Sequence, residues 1–316
     1  MFVNRAKREE RRFFHKCNVT LTNTISSLPE RYVLPLPQRP TLDQKRHCST
    51  TVLPVIDLSF LENPSLRSQV IEQVHVACKE VGAFQVINHG ISISFTNNAL
   101  DAAADFFDLP NEMKMRLASN DIREPVREKM GNYAMAIHGL HEKIMEVVFE
   151  SLGLRPDYIQ KDIEQGSQVM AVNCYPACPE PELALGLPPH SDYGLLTIIL
   201  QDQQGLEIAD KNEKWQSVSV IKEALVVQVG DQMEVLTNGR YKSVVHRAIL
   251  NLDKKRISIA SLHSLAIDKK VTPAPELVDE EDVLSYKEGS FGDFLHFLSE
   301  NDIVKGRYIE TLRIHK

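Results

Sequence analysis

The sequence lacks the features that mark secreted, membrane-spanning and nucleic-acid-binding proteins. Its five cysteines are an odd, scattered set that does not suit a disulfide framework, so we interpret them as free thiols in a reducing compartment. No apolar run reaches the length of a membrane span, and the N-terminus has no signal-peptide core. The formal net charge of -7 argues against nucleic acid as the main partner. These absences predict a cytoplasmic protein.

The composition is that of a globular chain with enough apolar material for a core. Hydrophobic residues make up 43% and charged residues 25% of the 316 positions. We predict an N-terminal arm over 1–50, in which Glu9 and Glu10 interrupt a basic stretch that would be poorer in acids in a transit peptide. A region of helices and strands follows over 51–160, and a strand-rich domain with a C-terminal helix over 165–316.

Hydrophobic periodicity predicts a mainly β fold with flanking helices. Helical spacing appears over 65–81, 94–118 and 130–152, with a polar link from Ser119 to Glu128. Strand-like runs at 52–58 and 83–90 lie among these helices. From residue 169 short strand-like runs alternate with turns, which is typical of a jelly roll, or double-stranded β-helix. These runs are 169–175, 193–201, 205–208, 215–220, 224–229, 233–236, 243–250 and 256–262.

One stretch carries a pair of metal-binding residue types. His190 and Asp192 follow a proline-rich segment and precede the apolar run from Leu195 to Leu200. On an extended chain, residues two apart point to the same face, so the imidazole and the carboxylate project together. Such a pair can hold a first-row metal from a rigid edge. Alone, it is more often a polar pair at a strand end.

Downstream residues change that balance. His246 lies in another strand-like run, and two imidazoles with one carboxylate make a facial triad that suits non-haem Fe(II) oxygenases. Arg256 can bind a carboxylate through two parallel hydrogen bonds, and Ser258 and Tyr175 can each add a hydroxyl. A keto-acid bound to iron at one end and to Arg256 at the other would need this set. Each residue alone has an ordinary structural interpretation, and the combination favours the site.

With these residues in place, the chain resembles the plant-type 2-oxoglutarate- and Fe(II)-dependent dioxygenases, among them the flavanone 3-dioxygenases. The likeness runs from about Leu28 to Ile309. The matching motifs are Pro54-Val55-Ile56-Asp57, Val86-Ile87-Asn88-His89-Gly90, Asn173-Cys174-Tyr175-Pro176, Gly186-Leu187-Pro188-Pro189-His190-Ser191-Asp192, Gly230-Asp231-Gln232, Asn238-Gly239-Arg240-Tyr241-Lys242-Ser243, Val245-His246-Arg247 and Arg256-Ile257-Ser258.

The resemblance implies roles for these residues and a reaction. His190, Asp192 and His246 would hold Fe(II), and the 2-oxoglutarate carboxylate would be held by Arg256, Ser258 and Tyr175. Oxidative decarboxylation would turn 2-oxoglutarate and dioxygen into succinate and CO2 while a small-molecule substrate is hydroxylated or desaturated. Ascorbate would keep the iron reduced. Ser261, His263 and Leu265 are further candidates for the substrate pocket, and we expect a monomer without nucleic-acid or membrane partners.

The chain departs from this family at one place. Members usually carry a few dozen residues, with strands and pocket aromatics, between a motif like Pro125-Val126-Arg127 and the long helix that follows. Here Arg127 runs directly into Glu128. The metal and 2-oxoglutarate residues are intact, but we expect the pocket wall and an edge of the main sheet to be affected.

Three functions therefore remain open. The first is a 2-oxoglutarate-dependent dioxygenase acting on a small plant aromatic such as a flavonoid, coumarin or indole. The second is an oxidase of the same fold that does not consume 2-oxoglutarate, similar to 1-aminocyclopropane-1-carboxylate oxidase, which keeps a similar Arg-x-Ser. The third is a truncated form that binds iron without turnover.

Overall fold

Two β-sheets face each other in a computed structural model of the protein, which describes residues 27–40, 53–117, 125–278, 283–301 and 306–314. Of the helical residues 115–117 and 125–127 it describes only the backbone. The six-stranded sheet has the order β1-β2-β8-β5-β10-β3, and the four-stranded sheet the order β4-β9-β6-β7. The strands are β1 (Val55–Asp57), β2 (Ala83–Ile87), β3 (Ser167–Tyr175), β4 (Leu185–His190), β5 (Leu196–Gln201), β6 (Leu206–Ala209), β7 (Trp215–Ser217), β8 (Leu225–Val229), β9 (His246–Ile249) and β10 (Arg256–Ser264).

Helices flank these sheets, as the sequence predicts. They are α1 (Pro64–Glu80), α2 (Ile93–Asp108), α3 (Asn111–Leu117), α4 (Pro125–Ser151), α5 (Gln160–Glu164), α6 (Asp231–Leu236), α7 (Phe291–Glu300) and α8 (Tyr308–Leu312). Their ends follow local chemistry: Asn63 caps α1 by accepting from Ser65 N, and Ser290 and Asp293 form a capping box on α7. None of the described helices is both long and apolar enough to span a membrane.

The six-stranded sheet buries apolar residues on both faces. Its outer face packs Ile198 of β5 and Ile257 of β10 into one core with α1, α2 and α4. Its inner face, which we define as the face turned toward the four-stranded sheet, packs Ile199 and Val226 against Leu206 of β6 in a second core. Alternation along each strand therefore decides whether a side chain meets the helices or the space between the sheets.

Three sequence predictions of local structure are wrong. The run 233–236 is the end of α6 rather than a strand, because an apolar run buried on every side has no diagnostic period. The proline-rich stretch 176–189, predicted as a break between the runs 169–175 and 193–201, contains most of β4, which tolerates prolines as the edge strand of its sheet. Helix α4 begins at Pro125, inside the predicted link, since proline suits a first helical turn.

Much of the predicted arm over 1–50 lies outside the described residues. Within 27–40, the backbone N–H of Leu34 donates to the Leu183 carbonyl, which fixes this segment beside the approach to β4. Cys78, Cys174 and Cys178 form no disulfide among the described residues, whereas Cys17 and Cys48 lie outside them.

A pair of stacked histidines lies in the layer between α4 and β10. The rings of His141 and His263 are 4.0 Å apart and nearly parallel. His263 and Ser261 pair with Leu196 and Ile198 of β5 on the outer face and hydrogen-bond to each other, so they do not face the space between the sheets. Leu265 likewise belongs to the helix-side core. Alternation along β10 turns Ser261 and His263 away from Arg256 and Ser258, and a substrate pocket at these three residues stays a prediction.

His141 is expected to make the protein sensitive to acid. Its ring nitrogens are buried without a hydrogen-bond partner among the described residues, and burial, aided by nearby His138, lowers its pKa to about 3. Between pH values of about 6.5 and 3, His141 binds a proton in the unfolded chain but not in the folded chain. The free energy of unfolding therefore decreases as the pH is lowered through this range. Replacing His141 with leucine should flatten the pH dependence of the unfolding free energy by up to about 1.4 kcal/mol per pH unit.

Urea unfolding at pH 7, 6 and 5 measures this slope. The matched control is His296→Leu on α7, because His296 is largely exposed and its loss should leave the slope unchanged. An unaltered slope in the His141→Leu variant would contradict the assignment.

Candidate metal centre

Two imidazoles and one carboxylate converge at the junction of β4, β9 and the loop that leads to β5. His190 ends β4 and pairs in register with His246 at the start of β9, so the two rings share one face. Asp192 Oδ1 lies 3.7 Å from His190 Nε2 and 3.9 Å from His246 Nε2. Among the described residues, these form the group of histidine, cysteine and acidic side chains whose ligand atoms lie within 4.8 Å of one another.

Backbone carbonyls orient both rings toward this meeting point. His190 Nδ1 lies 2.8 Å from the Pro188 carbonyl oxygen, and His246 Nδ1 lies 3.3 Å from that of Val244. Donation from Nδ1 to these oxygens leaves each Nε2 with a lone pair directed at the third residue, Asp192. Burial and the neighbouring His190 lower the pKa of His246, which favours the neutral imidazole that a metal needs. The donor set fits a divalent first-row metal.

The predicted carboxylate-binding residues share the inner face of the six-stranded sheet. Arg256 pairs with Tyr175 and Ser258 with Asn173 across β10 and β3, so the paired side chains lie side by side. The Arg256 guanidinium carbon lies 5.2 Å from the centre of the Tyr175 ring. His246 pairs with Ile208, which belongs to the core between the sheets, so the metal cluster and Arg256 face the same interior.

Arg256 is held before any ligand arrives. It is 4% exposed, its Nε donates to the Gln203 carbonyl, and its Nη2 lies 2.8 Å from Gln201 Oε1. A Cβ at Gly205 would lie 2.6 Å from Arg256 Cδ, so glycine leaves the room that the side chain occupies. Neutral oxygens orient the guanidinium without neutralising it, which leaves its charge available to a carboxylate.

Sequence reasoning found the three converging residues and missed their supports. Gln201 ends β5 and pairs in register with Ser258, and nothing in the sequence singles it out. Arg307 was missed as well, although its Nε donates to Ser191 Oγ within the metal-binding turn, because over a hundred residues separate the two positions. Asp231 was noted only within the resemblance, yet its backbone N–H donates to the Asp192 carbonyl.

A cluster of two histidines and one aspartate, in which His246 is buried and the other two are half-buried, is the donor set typical of mononuclear non-haem iron oxygenases. Residues 166–264 match the family model of the 2OG-Fe(II) oxygenase superfamily, and residues 53–150 match that of the non-haem dioxygenase in morphine synthesis N-terminal region. The chain belongs to the 2OG-Fe(II) oxygenase superfamily. The predicted dioxygenase class and its cofactors, Fe(II) and 2-oxoglutarate, are therefore confirmed.

Alignments with this chain cover more than nine tenths of the length of several related proteins. Flavanone 3-dioxygenase 3 of Oryza sativa subsp. japonica is 41% identical over 321 residues, covering 88% of this chain and 98% of its own. The chloroplastic 2-oxoglutarate-dependent dioxygenase 21 of the same plant is 42% identical, with 84% and 92% covered. A crystal structure of JOX2 in complex with 2OG, Fe and JA superposes with a TM-score of 0.81 at 29% identity, covering 93% of this chain and 96% of JOX2.

The alignments with the two rice relatives are longer than the number of residues that this chain contributes to them. The alignment with flavanone 3-dioxygenase 3 has 321 positions but uses only 88% of a 316-residue chain, so roughly forty positions have no residue of this chain opposite them. This total is compatible with the predicted missing segment, whose position between Arg127 and Glu128 stays a prediction.

Proposed function

We propose that the chain is a dioxygenase with a double-stranded β-helix core that hydroxylates or desaturates a small plant aromatic metabolite such as a flavonoid, coumarin or indole. The convergence of His190, Asp192 and His246 on the interior that also contains Arg256 carries this proposal. Bound Fe(II) would supply the reduction of dioxygen coupled to the decarboxylation of 2-oxoglutarate. The activity belongs to the region 165–316, with 51–160 supplying the outer helices and 1–50 an arm.

The chain's own residues would bind and orient the reactants. His190, Asp192 and His246 hold the metal from one side, which leaves its other side to the co-substrate and dioxygen. Arg256 pairs with the distal carboxylate of 2-oxoglutarate, while Ser258 and Tyr175 contribute hydroxyl groups to it. This arrangement places the keto-acid between a metal at one end and a fixed cation at the other. A relative of this chain is named flavanone 3-dioxygenase 3, and this name supports a flavonoid as the first substrate to test.

Succinate formation tests the proposal. The chain would be purified anaerobically and supplied with Fe(II), 2-oxoglutarate, ascorbate and air, with and without a flavanone. Succinate together with a product 16 mass units heavier, or two lighter, than the flavanone supports the proposal. A folded, metal-binding chain that oxidises a substrate without releasing succinate would instead favour the oxidase that does not use 2-oxoglutarate.

Loss of the Arg256 guanidinium is expected to weaken 2-oxoglutarate binding. Replacing Arg256 with glutamine removes a charge-assisted pair worth about 2 kcal/mol, which corresponds to a rise of about thirtyfold in the half-saturating concentration of 2-oxoglutarate. The half-saturating concentration for Arg256→Lys should lie between those of Arg256→Gln and the wild type, because lysine keeps the charge but cannot form two parallel hydrogen bonds. Succinate release against 2-oxoglutarate concentration gives the constants.

Metal affinity separates this effect from a general loss of the site. Co(II) binding should be unchanged in Arg256→Gln, since Arg256 is not a metal ligand in the proposal. Arg67→Gln serves as a control, because Arg67 pairs with Glu150 in the helical layer. Equal 2-oxoglutarate dependence in Arg256→Gln and Arg67→Gln would contradict the assigned role.

A further inference from the structure

The C-terminal segment reaches the metal-binding turn through one side chain. Arg307 lies just before α8, its Nε donates to Ser191 Oγ at 2.9 Å, and its Nη2 lies 3.2 Å from Asp231 Oδ1. Ser191 is the residue between His190 and Asp192 in the chain. The guanidinium therefore contacts the turn that presents two of the three side chains of the His190, Asp192 and His246 cluster.

Asp231 joins this contact to the backbone of the turn. Its carboxylate is almost fully buried and accepts from Ser191 Oγ and from Ser243 Oγ, while its own N–H donates to the Asp192 carbonyl at 2.8 Å. A buried carboxylate needs a cation and hydrogen-bond donors to remain charged in the interior. Arg307 supplies that cation, so the network ties α6, the turn and the C-terminal segment together.

Aromatic packing attaches the same segment to the next residue of the turn. The Tyr193 ring stacks on Phe294 of α7 with centres 4.6 Å apart, and it meets Tyr308 of α8 edge to face at 5.4 Å. Tyr193 follows Asp192 directly, so the C-terminal segment contacts the turn both at Ser191 and at Tyr193. A displacement of this segment would move the turn with it.

We propose that Arg307 is a positioning residue that fixes the His190–Asp192 turn in the geometry that binds metal. The proposal rests on the proposed function only in that His190, Asp192 and His246 bind a divalent metal. Residues behind the ligands orient them, and their loss typically lowers metal affinity by about 10- to 100-fold. Arg307 thus makes the C-terminal segment part of the metal centre, although it lies beyond residues 166–264 that match the oxygenase family model.

A matched pair of variants separates this role from general stabilisation. Arg313 lies on the same segment and also pairs with a buried acid, with its Nη2 3.4 Å from Glu234 Oε1. Its only described ion-pair partners are Glu234 and Glu310, neither of which belongs to the turn. Arg307→Gln and Arg313→Gln therefore each remove a C-terminal cation that pairs with a buried carboxylate of α6. Only Arg307→Gln also removes a contact to the turn.

Anaerobic titration with Co(II) and thermal unfolding of the metal-free protein give two readouts. We expect both variants to lower the melting temperature, and only Arg307→Gln to weaken Co(II) binding, by about tenfold. Arg307→Lys keeps the charge and should recover part of the affinity. This variant also provides the comparison if the glutamine variant does not fold.

The outcomes are distinguishable. Unchanged Co(II) affinity in Arg307→Gln or, where that variant does not fold, in Arg307→Lys, would overturn the positioning role, as would equal weakening in Arg313→Gln. If the wild-type chain itself does not bind Co(II), the proposed function fails together with this role.

Discussion

Replacing His246 with alanine is expected to abolish 2-oxoglutarate turnover. The substitution removes one of three converging ligands, so its effect on succinate release should exceed the roughly hundredfold loss typical of changes behind a metal site. The contacts of His190 to the Pro188 carbonyl and of Ser191 to Arg307 do not involve the His246 imidazole, so the fold should survive. His246 is buried in register with His190, and its removal leaves a space that water can occupy.

Succinate release in the presence of Fe(II), 2-oxoglutarate and ascorbate measures the effect, and the slow turnover of 2-oxoglutarate without a prime substrate suffices. His89→Ala is the control: the Nε2 of His89 lies 3.0 Å from the Glu223 carbonyl, and the residue belongs to no metal cluster among the described residues. Succinate release by His246→Ala at more than about a hundredth of the His89→Ala rate would contradict the assigned ligand set.

The metal cluster was predictable because its chemistry is local in the sequence. Two residues of the cluster are two positions apart, so strand alternation alone brings them together. His246 lies far along the chain, and only its combination with that pair and with Arg256 and Ser258 singled it out. His190 nevertheless ends β4, a strand that the sequence analysis interpreted as a proline-rich break. The error did not affect the prediction that His190 and Asp192 project together, because their side chains meet in one cluster although only His190 lies in the strand.

The supports of the site depend on tertiary contacts, and residue patterns do not encode them. Whether His263 faces a pocket or a helix depends on the phase of β10 relative to two sheets, and only the packed fold defines it. Gln201 and Arg307 act through contacts across at least 50 residues of chain, which neither periodicity nor motif spacing reveals. The helix α6 was missed for a related reason, since all six of its residues are buried.

The predicted missing segment should impair substrate turnover more than metal binding. Residues that bind metal and 2-oxoglutarate in our proposal lie on β3, β4, β9, β10 and the turn after β4, all of which are in place. β3 ends the order of the six-stranded sheet within the described part of the chain, and most of its residues are only half buried. An edge strand of nine uncharged residues has peptide groups that an additional strand could pair with.

Inserting the corresponding segment of flavanone 3-dioxygenase 3 between Arg127 and Glu128 should therefore raise the rate of product formation by about a hundredfold. This is the factor by which a misplaced substrate typically slows a reaction. Co(II) affinity and substrate-free succinate release should change little. A Gly-Ser linker of equal length is the matched control, because it restores length without strands or pocket aromatics. The ratio of succinate to hydroxylated product reports the coupling, which should approach one only with the native segment. Equal product formation with and without that segment would show that the pocket is complete without it and that the gap has no bearing on activity.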